Sequence, residues 1–237
     1  MNGLIGLAGV VALLLAAGTM IGCANRAHFS PRWLLIAALL VAVNDALLTS
    51  FYGLMPNFIG GGWNWQGKLL ALTATLLIVT LPMFDRRRAG FTFSQEAGSV
   101  RAALPVALVY CALFVAVALA FDESPATSED IAFQLTMPGL EEEPFYRGIL
   151  LFALDQAFTA RKRFLGVDWG WGAVLSCFLF GLTHGFGFSD GDFSFDYSIV
   201  ALTAIPALLG VWLRLRTGSL LLPVLLHNFG NSFPLVI

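Results

Sequence analysis

Long apolar runs separated by short polar connections make up almost the whole chain. The runs are continuously apolar, without the alternation of a barrel strand, and their lengths approach that of a membrane-spanning helix. Both features favour helices over a transmembrane barrel. The chain is therefore predicted to be an all-α polytopic transmembrane bundle of about eight spans. These spans are predicted at residues 4–22, 33–54, 69–84, 102–121, 142–158, 171–184, 198–213 and 220–236.

The amino-acid composition also points to a membrane protein. Hydrophobic residues make up 58% of the 237 residues and charged residues 12%, against about 25% charged residues in a soluble domain. The net charge of −2 argues against a nucleic-acid partner bound through a basic surface. Cys23, Cys111 and Cys177 have unrelated spacings, which predict neither a disulfide framework nor a cysteine-based zinc site.

Residues 1–237 are predicted to form a single membrane domain, because no internal repeat or long polar linker divides them. Four N-terminal spans within residues 1–121 carry no recognisable motif, whereas residues 139–237 carry most of the suggestive polar groups. No Lys or Arg precedes the first run, so it is predicted to be a retained span and not a secretory signal peptide.

The connections between the spans alternate in charge. Lys and Arg mark cytoplasmic connections, so an eight-span chain with both termini outside places every strongly basic connection inside. The second connection carries Lys68 alone, and the acidic fourth connection includes Asp122 and Glu123. We therefore predict a multi-pass protein of a bacterial cytoplasmic (inner) membrane with both termini outside.

The densest polar chemistry lies at the start of the fifth predicted span, in the run Glu141-Glu142-Glu143-Pro144-Phe145-Tyr146-Arg147. Pro144 suits the first helical position, which places Glu142 and Glu143 at a helix N-terminus. Glu143 and Arg147 are four residues apart with the acid first, a spacing that favours an ion pair. Glu142 is rotated by about 100° from Glu143 and is free to face the bundle interior. Glutamates that solvate an interfacial helix cap are an equal alternative.

Two further polar groups lie within predicted spans. His184 ends the sixth span, and His227 and Asn231 are one helical turn apart in the last. Ionisable residues inside a membrane are candidates for function. For each group alone, a hydrogen-bonded packing role is the alternative. Together with Glu142, these residues are predicted to meet in a polar cavity.

Two connections are unusual in composition. Residues 185–193, directly after His184, are rich in glycine and phenylalanine, which is compatible with a lid over the cavity and equally with an ordinary interfacial loop. Residues 131–137 form a short apolar stretch ended by Pro138 and Gly139, which is predicted to lie in the membrane interface.

Three short motifs carry a family resemblance. Residues 142–147 match the pattern EExxxR, residues 180–184 match FxxxH, and residues 227–231 match HxxxN, preceded by the family's usual lead-in at residues 216–220. In this order and spacing, the chain from about Gly139 to the C-terminus resembles the CPBP (Abi, or type II CAAX prenyl protease) family of intramembrane proteases.

The resemblance implies a helical bundle enclosing a polar catalytic cavity and a glutamic-type intramembrane protease. Its substrate would be a membrane-anchored or exported protein or peptide within the lipid bilayer, and no cofactor is expected. The residues and roles that it implies are a general base Glu142 assisted by His184, oxyanion stabilisation by His227 and Asn231, and structural support from Glu143 and Arg147.

Other interpretations remain open. A zinc-dependent version of the protease would use Glu142, His184 and His227 as ligands. The lack of an HExxH helix and the weak zinc affinity of asparagine favour the metal-free version. A non-catalytic scaffold or immunity-type protein of the same fold would be signalled by degenerate motifs, and a transporter by repeats with broken helices; the sequence shows neither.

The predicted position of the site conflicts with a cytoplasmic substrate. By the charge rule, Glu142, His184 and Asn231 lie nearer the outer face. The resemblance, in contrast, implies prenylated CAAX substrates presented from the cytoplasm. Either the topology is inverted or the substrate is not a CAAX protein, and an exported or membrane-anchored bacterial protein fits better.

Overall fold

Helices form most of the protein in a computed structural model, which describes residues 2–51, 56, 58–120 and 125–237. Eight helical segments within these ranges follow the predicted spans in order. The first four are α1 (Asn2–Ala24), α2 (Pro31–Ala46) with a π-helical extension (Leu47–Phe51), α3 (Trp65–Ile78) and α4 (Ser99–Ala120). The fifth runs continuously through α5 (Ser128–Glu143), a π-helical turn (Pro144–Leu150) and α6 (Leu151–Ala157). The last three are α7 (Trp171–Gly185), α8 (Tyr197–Thr217) and α9 (Leu221–Ser232).

Among the residues that the structure describes, four helices are long and apolar enough to cross a membrane: α1, α2 extended to Thr49, α4 and α8. They indicate a multi-pass membrane protein. The helices α3, α7 and α9 have only 14, 15 and 12 residues, against about 20 for a full span. The predicted span ends at residues 54 and 121, and the acidic residues Asp122 and Glu123, lie outside the described residues.

The predicted start of the fifth span at Glu142 is wrong, because the helix begins at Ser128. Thr127 caps it: its hydroxyl accepts the N–H of Asp130, and the Asp130 carboxylate accepts the N–H of Thr127. The glutamates therefore lie in the last turn of α5 and not at a helix N-terminus. The apolar stretch that was predicted to lie in the interface belongs to the same helix.

Pro138 does not end this helix, because a neighbouring helix compensates for the proline. A proline within a helix removes one N–H and displaces a carbonyl, so other groups must satisfy the local backbone. The N–H of Gly139 donates to Oδ1 of Asn228 on α9 at 2.7 Å. A Cβ at position 139 would collide with Asn228 and with the Val224 carbonyl. The glycine therefore lets α5 and α9 pack closely.

The segment that carries the glutamates is the central element of the fold. Every residue from Glu143 to Leu154 is buried. The main apolar core surrounds it and includes Leu14 of α1, Leu34 of α2 and Leu179 of α7. The polar motif therefore opens a helix that the other helices enclose.

Two connections fold as β-hairpins that the sequence analysis did not predict. Both hairpins are antiparallel. Their strands are β1 (Lys162–Phe164) with β2 (Val167–Trp169), and β3 (Phe186–Ser189) with β4 (Asp192–Phe195).

The β3–β4 hairpin replaces the predicted lid or loop at residues 185–193. Its turn has Asp190 and Gly191 at φ +54° and +92°, the backbone conformation that an Asp-Gly pair favours in a two-residue hairpin. The rings of Phe186 and Phe193 stack with centroids 5.4 Å apart. Both rings lie against Gly9 of α1, where a Cβ would meet them. The hairpin is therefore packed onto the first helix.

Candidate active site

A cavity of about 600 Å³ lies among α3, α4, α5, α7, α8 and α9. All six residues predicted for the site contribute to its lining, so the structure brings them together from three helical segments. With one unpredicted lysine, the charged and polar residues of interest are Lys68, Glu142, Glu143, Arg147, His184, His227 and Asn231.

The predicted ion pair between Glu143 and Arg147 is present. Nη1 of Arg147 lies 3.3 Å from Oε1 of Glu143, and both side chains are only 3% exposed. Pro144 begins the π-helical turn between them, a wider winding that recurs at functional sites. The guanidinium of Arg147 also lies 4.3 Å from the ring centroid of Phe180 on α7, a cation–π contact. Arg147 is therefore held by a counter-charge and by an aromatic face.

His227 bridges the two motif glutamates. Its Nδ1 lies 2.7 Å from Oε1 of Glu143, and its Nε2 lies 3.5 Å from Oε2 of Glu142. A carboxylate accepts hydrogen bonds, so Nδ1 carries a proton. Besides its pair with Arg147, Glu143 therefore orients the imidazole so that Nε2 faces Glu142.

His184 is fixed by its own helix. Its Nδ1 lies 2.7 Å from the carbonyl oxygen of Phe180, one turn earlier, so Nδ1 donates and Nε2 of the neutral ring is free to accept a proton. The ring centroid of Phe180 lies 4.6 Å from that of His184 and 6.0 Å from that of His227. The aromatic residue of the FxxxH motif therefore contacts both histidines.

Lys68 is a site residue that the sequence analysis missed. It lies in the first turn of α3, with Nζ 2.7 Å from Oε2 of Glu141 and 2.5 Å from Oε1 of Glu142. The interpretation of Lys68 as the lone base of a connection was wrong, because the residue belongs to α3 and its side chain is only 14% exposed. The sequence did offer one signal for a site role. Lys68 is an isolated lysine next to an apolar run, and a single lysine is only weak evidence for a cytoplasmic connection.

Glu141 had no predicted role, and the structure makes it the second partner of Lys68. Its side chain is fully buried at 0% exposure, where a carboxylate is costly without a counter-charge. Glu141 and Glu142 share one ammonium group. Because Lys68 contacts Oε1 of Glu142, Oε2 is the oxygen that faces His227.

The first turn of α5 forms hydrogen bonds with the loop before α3. This loop contributes Trp63 to the lining of the cavity. Glu129 accepts the N–H of Gly62 at 2.9 Å and the indole N–H of Trp65 at 3.0 Å. Asp130 accepts the indole N–H of Trp63 at 2.7 Å. These hydrogen bonds stabilise both carboxylates, so the pKa values of Glu129 and Asp130 lie below their usual range.

The zinc alternative finds no matching ligand cluster in the part of the chain that the structure describes. Within those residues, no group of three or more His, Cys, Asp and Glu side chains is placed to hold one metal ion. The Nδ1 atoms of His184 and His227 face a backbone carbonyl and Glu143, respectively. These contacts leave Nε2 as the remaining ligand atom of each ring, as in many zinc sites, so the metal content of the purified protein is the test of the zinc-dependent version.

Comparison with known families adds a further observation. Residues 127–233 match the family described as Type II CAAX prenyl endopeptidase Rce1-like. This stretch is an Rce1-like domain. The Rce1-like domain contains all three motifs, which confirms the family resemblance, and it begins before Gly139, at the capping box of α5. No curated protein and no solved structure gave a match to the chain.

Proposed function

We propose that the protein is an intramembrane endopeptidase that cleaves a membrane-anchored or exported protein or peptide. The observation that carries this proposal is the convergence of Glu142, His184, His227 and Asn231 on one cavity. Membership of the Rce1-like family suggests a membrane protease, and the four long apolar helices support a membrane location. In the proposed arrangement, the shorter helices stand beside these four, so that eight segments enclose the catalytic cavity.

Glu142 is proposed to activate water with help from His184. Lys68 holds Oε1 of the carboxylate, which leaves Oε2 to accept a proton. As that proton leaves, the water oxygen attacks the carbonyl carbon of the scissile peptide bond. Neutral His184 offers a second proton acceptor at the same cavity.

His227 and Asn231 are proposed to stabilise the oxyanion that forms. The Asn231 amide donates without any change of charge. His227 already donates from Nδ1 to Glu143, so it donates to the oxyanion from Nε2 as the imidazolium ion. Such donors contribute roughly 10²–10³ each to the rate. When the intermediate collapses, the C–N bond breaks and the proton on Glu142 passes to the leaving amine.

The cavity is proposed to open toward the outer face of the membrane, which favours an exported or membrane-anchored substrate over a cytoplasmic CAAX protein. Single cysteines at Ser189 and Lys162, in a background without native cysteines, test this orientation because both positions are exposed. A membrane-impermeant thiol reagent added outside should label position 189 and spare position 162. Labelling of position 189 only from the cytoplasm would refute the outward site.

The activity is tested by comparing membrane and secreted proteins from cells that carry the wild type or Glu142→Gln. A substrate should accumulate uncleaved in the variant, whose expression and folding are checked in parallel. Unchanged substrate processing would favour a non-catalytic scaffold of the same fold. Stoichiometric zinc in the purified protein, with cleavage lost on chelation, would favour the zinc-dependent version.

A further inference from the structure

A second cavity, of about 460 Å³, lies toward the far end of the central helical segment. Asp155 of this cavity lies roughly 20 Å beyond Glu142 along the helix, at about 1.5 Å per residue. Three carboxylates line it, from Glu96, Asp155 and Asp168. Five arginines outnumber them, three from connections and two from the last turn of α8: Arg88, Arg161, Arg163, Arg214 and Arg216.

Part of this positive charge is not neutralised by the protein. Arg88, Arg214 and Arg216 form no ion pair with any residue that the structure describes. Three guanidinium groups without an ion pair therefore line the same cavity. The other two arginines are paired, as Arg161–Asp155 at 3.0 Å and Arg163–Asp168 at 3.2 Å.

Arg214 gives the most specific indication of a ligand. Its residue is only 6% exposed, and its Nη2 donates to the carbonyl oxygen of Arg88 at 2.5 Å. Its buried Nε has no hydrogen-bond partner among the described residues. The nearby carboxylate of Asp155 interacts with Arg214 electrostatically but makes its ion pair with Arg161, so several arginines share one buried carboxylate. The planar donors of a guanidinium match the oxygens of a phosphate group.

We propose that this cavity binds a phosphate-bearing anion, either the headgroup of an anionic phospholipid or free phosphate. Three basic segments of the chain meet at the cavity: the connection that contains Arg88, the β1–β2 connection with Arg161 and Arg163, and the last turn of α8 with Arg214 and Arg216. Basic pockets between membrane helices on the cytoplasmic side are suited to anionic headgroups. The site is separate from the proposed protease site and does not depend on its activity.

The experiment measures thermal unfolding of the full-length protein in a zwitterionic detergent, titrated with three probes. These are phosphatidylglycerol, phosphatidylcholine and inorganic phosphate. Phosphatidylglycerol should raise the unfolding midpoint in a saturable way, while phosphatidylcholine should not, because only the former carries a net negative charge. Saturable stabilisation by inorganic phosphate alone would identify free phosphate as the source and would also support the anion site.

Two variants locate the binding. Arg88→Gln and Arg216→Gln should each weaken the apparent affinity for the stabilising anion about fivefold, since a basic residue contributes about 1 kcal/mol near an anionic surface. Arg87→Gln is the matched control, because Arg87 is exposed in the same connection and does not line the cavity. These exposed or half-buried positions keep the test independent of Arg214, whose replacement also alters buried packing.

Two results would overturn the proposal. The first is no saturable stabilisation by either phosphatidylglycerol or phosphate. The second is an equal loss of affinity in Arg87→Gln and in the two cavity variants, which would show that general surface charge accounts for the effect.

Discussion

Each of the two cavities is lined by a buried arginine, and the two arginines differ in the partners that the protein provides. Arg147 is 3% exposed and has a carboxylate partner, Glu143, together with an aromatic face. Arg214 is 6% exposed and has the carbonyl oxygen of Arg88 as its hydrogen-bond acceptor. Arg147 has a carboxylate to itself, whereas the carboxylate near Arg214, Asp155, is paired with Arg161. This difference fits the proposal that Arg214 contributes to binding an external anion.

The same comparison extends to the carboxylates along the central segment. At one end, Glu141, Glu142 and Glu143 outnumber their cationic partners, Lys68 and Arg147. At the other end, arginines outnumber carboxylates. One helical segment therefore joins a cavity rich in proton acceptors to a cavity rich in fixed positive charge.

The largest expected effect is on cleavage. Glu142→Gln removes the proposed general base, so the rate of cleavage should fall about 10²–10⁴-fold. The rate is measured on the substrate that accumulates in cells carrying the variant. Asp192→Asn, an exposed carboxylate on β4, is the control and should retain the wild-type rate. Equal rates for the wild type and Glu142→Gln would contradict the proposed role.

The next effect concerns folding stability at Arg147. Arg147→Met leaves the Glu143 carboxylate buried without its cation, and loss of one partner of a buried pair costs about 3–5 kcal/mol. The free energy of unfolding is measured in detergent for the variant and the wild type. The double variant Arg147→Met/Glu143→Leu should recover part of the loss. A single variant as stable as the wild type would show that the pair is not needed.

Lys68→Met should destabilise the protein somewhat less, near the lower end of about 3–5 kcal/mol, because Glu142 is partly exposed to the cavity. The free energy of unfolding again provides the measurement. Lys68→Met/Glu141→Leu should be more stable than Lys68→Met, because the buried Glu141 carboxylate has been removed. If the double variant is less stable, the lysine acts mainly through packing and not through charge.

The smallest effect on the free energy of unfolding is expected at Arg214, and its size distinguishes Arg214 from Arg147. Arg214→Met leaves no buried carboxylate unpaired, so it should cost no more than about 1 kcal/mol, the net value of one hydrogen bond. Unfolding in lipid-free detergent measures this cost. A loss as large as that of Arg147→Met would remove the contrast between the two cavities.

The apolar pattern and the three motifs predicted much of this arrangement for a physical reason. Continuous apolar runs specify helices in a membrane, and residues three or four positions apart share a helix face. The i, i+4 pair of Glu143 and Arg147 was predictable from its spacing alone. The convergence of His184 and His227 on Glu142 followed from the family resemblance, because spacing within one helix says nothing about neighbouring helices.

The features that were not predicted depend on contacts distant in sequence. Pro138 and Gly139 are a sound local signal for a helix end, and the signal fails because Asn228 on α9 supplies the hydrogen bond. Lys68 becomes a site residue only when α3 packs beside α5. The β3–β4 hairpin, in contrast, has a local signal in the sequence, because Asp190-Gly191 lies between alternating phenylalanines.

The contact between Lys68 and Glu142 bears on whether the matched domain alone could carry the proposed chemistry. The matched domain begins at residue 127, whereas the ammonium group that contacts Glu142 belongs to Lys68 of α3. A fragment restricted to residues 127–233 would carry Glu141 and Glu142 side by side with no lysine between them. If this domain were fused to a different set of N-terminal helices, those helices would therefore have to place a cation between Glu141 and Glu142, where Lys68 lies in this chain.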